Sequence, residues 1–94
     1  MYARVTRFEG TDADAVRAAA KEIDGSDGPP PGVRATGYTL LLDPKTGENI
    51  AITLFETEED MKKGDETLNE MSPTNDDMKR TSVEFYEVPL DLRL

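Results

Sequence analysis

Tyr38-Thr39-Leu40-Leu41-Leu42-Asp43-Pro44-Lys45-Thr46-Gly47-Glu48-Asn49-Ile50-Ala51-Ile52-Thr53-Leu54-Phe55, running directly into Glu56-Thr57-Glu58-Glu59-Asp60, is the stretch around which the rest of the chain is assembled. Two runs rich in Leu, Ile, Thr, Tyr and Phe have the composition of strands. Between them Pro44 presets a turn residue and Gly47 is free to take a positive φ, so the stretch reads as a β-hairpin. Placing Asp43 opposite Glu48 puts Thr39, Leu41, Ile50, Ile52 and Leu54 on one face. Tyr38, Leu40, Leu42, Ala51, Thr53 and Phe55 take the other. Both faces are apolar. Thr57, three residues before Asp60, then caps a helix whose first turn carries Glu58, Glu59 and Asp60, where the helix dipole favours negative charge.

Upstream, residues 1 to 9 alternate as a strand, with Tyr2, Arg4, Thr6 and Phe8 on one face and Ala3, Val5 and Arg7 on the other. Thr11 and Asp14 suggest a capped helix in which Val16, Ala19, Ala20 and Ile23 recur at helical spacing, closed by Gly25. Ser26 to Ala35, with Pro29, Pro30 and Pro31 in succession, reads as an extended loop. Downstream, Met61, Leu68 and Met71 give the second helix a narrow apolar stripe interrupted by Gly64, which points to close backbone approach or an unfavourable helix position. Ser72 to Asp77 ends that helix, and Thr81 to Val88 forms a last strand stopped by Pro89. The order is βαββαβ: an α+β, ferredoxin-like antiparallel sheet with two helices on one face, in a single domain spanning residues 1 to 94. Two helices cover one face only, so the second apolar face calls for a second copy of the chain. Leu90, Leu92 and Leu94 read as an arm reaching onto that partner.

Composition narrows the partners. Against 20 acidic residues stand 11 basic ones, and the formal charge of −9 repels nucleic-acid phosphates and anionic membrane surfaces alike. Without cysteine there is neither a disulfide framework nor a thiolate nucleophile, and the expected location is cytoplasmic. The opening residues alternate and carry Arg4 and Arg7, unlike the continuous apolar core of a signal peptide.

The opening Tyr2-Ala3-Arg4-Val5-Thr6-Arg7-Phe8, Pro31-Gly32 before the second strand, Lys45-Thr46-Gly47-Glu48 at the hairpin, and Thr53 to Asp60 at the strand-to-helix junction together resemble the dimeric α+β barrel superfamily. In pattern the chain is similar to its antibiotic-biosynthesis-monooxygenase-like group. The resemblance implies that two ferredoxin-like sheets pair into a barrel. Some similar proteins oxidise polycyclic phenols in an internal cleft without metal or flavin, while others degrade haem or isomerise lactones. Haem-degrading relatives use an Asn, a Trp and an iron-ligating His; this chain has no Trp and no His, so no haem ligation of that kind is expected.

Other chemistry is sparse. Asn49, Asn69 and Asn75 read as turn or helix-surface residues. Glu58-Glu59-Asp60 and Asp76-Asp77 lack the spacing of a calcium loop, and no His stands ready to activate Ser26, Ser72 or Ser82. No cofactor and no metal are expected. One constellation remains as a candidate ligand pocket: Tyr2, Arg4, Tyr38, Phe55 and Tyr86, with Arg7 nearby. Tyrosines on a small sheet stack on an aromatic ligand while their hydroxyls orient its polar edge, and Arg4 supplies charge for a phenolate or carboxylate. The same tyrosines equally suit a dimer interface. The expectation is a homodimer that binds a small apolar or aromatic molecule. The alternative is a cofactor-independent monooxygenase acting on phenolic or quinol-type substrates.

Overall fold

The strands and helices β1 (Tyr2–Glu9), α1 (Ala13–Asp24), β2 (Ala35–Leu42), β3 (Asn49–Phe55), α2 (Glu58–Glu70) and β4 (Lys79–Glu87) follow one another in the computed structural model. It describes residues 1–9, 12–25, 28, 32–70 and 79–92. The expected roles of Thr11, of the proline run 29–31, of Met71, of the segment 72–77 and of Leu94 lie outside these residues. The strands form one antiparallel sheet in the order β2-β3-β1-β4, compatible with a ferredoxin-like fold.

The hairpin has the register that its sequence implies. Leu42 lies opposite Asn49 and Leu41 opposite Ile50, and the Asp43 amide donates to the Glu48 carbonyl at 2.9 Å. The Asp43 side chain accepts from the Lys45 amide at 2.9 Å. Gly47 adopts a positive φ that an L side chain resists. At the next junction the Thr57 hydroxyl accepts from the Asp60 amide at 3.1 Å, as a helix cap does. The first helix differs from the expectation. Its N-cap is Asp12, whose carboxylate accepts from the Asp14 amide at 3.2 Å. Asp12 is as good a cap as Thr, so the capping pattern alone did not fix the boundary.

Strand alternation separates the two faces. Phe55, Thr53, Ala51 and Asn49 of β3 are all buried, whereas Ile50, Ile52 and Leu54 between them are only partly so. The buried set faces the helices. There Phe55, wholly inaccessible, forms a core with Val33 and Met61, against which Tyr2, Ala35 and Leu68 pack. Gly64 shows why α2 carries a glycine at its centre: a Cβ there would stand 2.6 Å from Phe55 Cε1 and 2.7 Å from Cζ. Close approach is therefore the reason for this residue. On the other face Val5, Ile50, Ile52 and Leu54 are partly exposed and Leu41 is exposed. In the tail Leu90 and Leu92 are 70 % and 67 % exposed.

Two bulges interrupt the ladders. One lies between Ala35 and Gly37 in β2. The other matters more: Arg7 pairs with Ser82, but Phe8 pairs with Arg80, so Thr81 is the extra residue. Strict alternation from Val83, which shares the helix face with Thr6, would have sent Arg80 to the opposite face. The bulge returns it to the face of Phe8 and Arg4.

Candidate functional site

Arg4 sits in the middle of β1 on the helix face and is only 5 % exposed. Its position follows from the alternation of the strand, and its burial is made tolerable by neighbours that satisfy the guanidinium. Nε donates to Asp65 Oδ1 at 2.8 Å, Nη1 to the Thr6 hydroxyl at 2.9 Å and Nη2 to Asn69 Oδ1 at 3.1 Å. Asp65 and Asn69 are one helical turn apart on α2, so both reach the same guanidinium. On α2 Met61 and Gly64 are buried and Asp60, Asp65, Thr67 and Leu68 partly so, which sets the Asp65 carboxylate beside the apolar Met61, Gly64 and Leu68.

Asn69 Oδ1 accepts a second guanidinium, from Arg80 Nη1 at 2.7 Å. The charge of Arg4 is matched by Asp65. Arg80 has no carboxylate partner among the described residues.

Four of the five candidate residues share this helix face. Arg4 is in the network just described. Tyr38 stands across β3 from it, both residues pairing with Thr53. Partial burial pushes the Tyr38 hydroxyl above its ordinary pKa, and the positive charge of Arg4 offsets part of that rise. Tyr2 packs on the core, and Phe55 is the core itself, too enclosed to touch a ligand without rearrangement. Tyr86 is on the opposite face, opposite Ala3 in the register, and is exposed. Its hydroxyl donates to Glu84, which also accepts from Arg7 Nε at 2.7 Å and from the Ser82 hydroxyl at 3.4 Å. These contacts, the Tyr86 hydroxyl foremost, hold the Glu84 carboxyl below the usual range, while Arg7 and Tyr86 are both raised, in each case chiefly by the hydrogen bond to Glu84. Arg7 and Tyr86 therefore form a separate cluster on the open face and do not join the other four.

A groove of about 590 Å³ opens at the hairpin end of the sheet, lined among others by Arg7, Leu41, Ile50, Glu9, Asp43 and Glu48. None of the five candidate residues lines it. Among the described residues no group of three or more acidic side chains is placed to hold a metal ion, and no helix is long and apolar enough to cross a membrane.

Sequence reasoning passed over three residues of the network. Asp65 had a visible signal, a charged residue four positions after Met61 in the buried stripe. Asn69, read as helix surface, had only its helical spacing from Asp65. Arg80 had none, because its orientation depends on the bulge. Asn49, read as a turn residue, is instead fully buried at the start of β3. Comparison of the chain with protein-family models, curated proteins and solved structures returned no match.

Proposed function

We propose that the protein is a homodimeric α+β barrel module that binds a small apolar or aromatic molecule between its sheet and its helices. Arg4 carries the reading. Burying a guanidinium costs desolvation that an aliphatic side chain at the same position would avoid, so packing alone does not account for it. Around it stand Tyr38, which is half-exposed, and the buried hydroxyls of Thr6 and Thr53, a mixture of apolar surface and few polar anchors that suits a small ligand. The second copy is supported by the open face, where Val5, Leu41, Ile50, Ile52 and Leu54 form an aliphatic surface that neither helix covers. The exposed Leu90 and Leu92 extend the apolar surface available to a partner.

Cofactor-independent oxidation of a phenol or quinol is the second reading. It needs an unmatched positive charge beside the substrate oxygen. Arg4 is paired with Asp65 and Arg7 with Glu84, which favours binding over catalysis by either arginine.

Sedimentation of the full chain at micromolar concentration tests the assembly, with a dimer expected; a clean monomer refutes the barrel. A thermal-shift screen of phenols and quinones beside nucleotides and sugar phosphates, repeated on Tyr38→Phe, tests the ligand. Stabilisation by aromatics that weakens in Tyr38→Phe is the expected result. Stabilisation by phosphates alone refutes the ligand class.

A further inference from the structure

Two guanidinium groups, Arg4 and Arg80, converge on the neutral side-chain oxygen of Asn69, their donating nitrogens 3.1 and 2.7 Å from it. Sharing one acceptor atom holds the two cationic groups close together. Like charges held this close repel, and a chain with 20 acidic residues has placed an amide where a carboxylate would have relieved the repulsion. We infer that the polar end of the ligand is itself the missing carboxylate: the edge where α2 meets β4 is a site for a small aromatic monocarboxylate, held between Arg4 and Arg80. This rests on the small-molecule reading above and adds the charge and the anchoring group.

Four observations carry the inference. Of the five N–H donors of a guanidinium, Arg4 uses three, leaving two without a partner among the described residues although the side chain is buried. The bulge at Thr81 turns Arg80 to this face, against the alternation of its strand, and bulges commonly serve to aim a side chain. Among the described residues, two guanidinium charges stand against the single carboxylate of Asp65, and the one positive charge left over matches a monoanion better than a phosphate dianion. Phe85, the register partner of Arg4 on the same face, is half-exposed and offers a ring surface beside the charges.

The test is a titration of the isotope-labelled full chain with benzoate, benzamide and inorganic phosphate, read at the side-chain N–H resonances of Arg4, Arg80 and Asn69. Benzoate should bind saturably and about tenfold or more tighter than benzamide, the expected effect of charge-assisted hydrogen bonds to one end of the molecule. Arg80→Gln, at an exposed position, should bring benzoate down to the benzamide level and leave benzamide unchanged. Asn69→Asp should abolish benzoate binding by supplying a carboxylate in place. Equal binding of benzoate and benzamide overturns this proposal while sparing the small-molecule reading; no response to either compound refutes both. Tighter binding of phosphate overturns the monocarboxylate. If Arg80→Gln lowers stability but leaves benzoate affinity intact, Arg80 serves only as a counter-charge to the last turn of α2, which has no basic residue of its own, and the inference fails.

Discussion

Gly64→Ala separates two opposing effects of comparable size, and the structure says which one wins. In an exposed helix interior the change is stabilising by about 1 kcal/mol, since alanine surrenders less backbone freedom than glycine. At position 64 the added methyl would stand 2.6 and 2.7 Å from two ring carbons of Phe55, with Val33 Cγ1 at 3.6 Å on another side. Carbon atoms prefer a separation of about 3.5 to 4 Å, so the ring or the helix must move by roughly 1 Å. Phe55 has little room to yield, being wholly inaccessible and wedged between Val33 and Met61. Overpacking of this kind costs about 3 kcal/mol at the upper end of its usual range, leaving a net loss of about 2 kcal/mol. Urea unfolding at one fixed protomer concentration measures it. With a slope of about 1.5 kcal/mol/M the midpoint falls by about 1.3 M. The same substitution in a Phe55→Leu background removes the obstructing ring, and there it should be neutral or stabilising by up to about 1 kcal/mol. A Gly64→Ala protein as stable as the original would falsify the account, as would an equal loss in both backgrounds.

Thr57→Ala removes the hydroxyl that accepts from the Asp60 amide and should destabilise the protein by about 1 kcal/mol, whereas Thr57→Ser should be close to neutral; both are read from urea midpoints. Arg4→Leu leaves Asp65 without its partner and should cost about 3 kcal/mol, and Arg4→Leu with Asp65→Leu should recover much of that loss, a rescue that a double-mutant cycle measures directly. The lowered Glu84 carboxyl contributes stability that is present above its unfolded pKa and lost as pH falls through the folded one. An acid-unfolding profile of Glu84→Gln should therefore be flatter than that of the original, and an unchanged acid limb would reject the Arg7–Glu84–Tyr86 assignment. At the alkaline end the raised Tyr38 hydroxyl contributes stability present below its unfolded pKa and lost as pH rises through the folded one, so Tyr38→Phe should flatten that limb.

Much of the fold was legible because its determinants are local. The hairpin register follows from the period of two and from a turn whose Asp43, Pro44 and Gly47 satisfy their own backbone geometry, and Thr57 caps its helix through a bond three residues away. Alternation alone puts Tyr2 with Arg4 on one face of β1 and Tyr38 with Phe55 on one face of the hairpin, and the pairing of β1 with β3 brings the two pairs to the same side. Tyr86 was grouped with them without a register for β4. Once Tyr86 pairs with Ala3, it can only face the other way.

What the sequence by itself determined is the order of the elements, the apolar character of both sheet faces and which residues of β1 share a face with Arg4. Tertiary structure alone decided what Arg4 meets. Its partners Asp65 and Asn69 lie 61 and 65 positions away, and no local periodicity connects them to β1. On the same helix Gly64 lies close against the ring of Phe55, where an added Cβ would stand 2.6 Å from Cε1. Arg80 reaches the same oxygen only because a single extra residue at Thr81 shifts the ladder, and strand pairing at that point is a balance of long-range contacts that alternation cannot foresee.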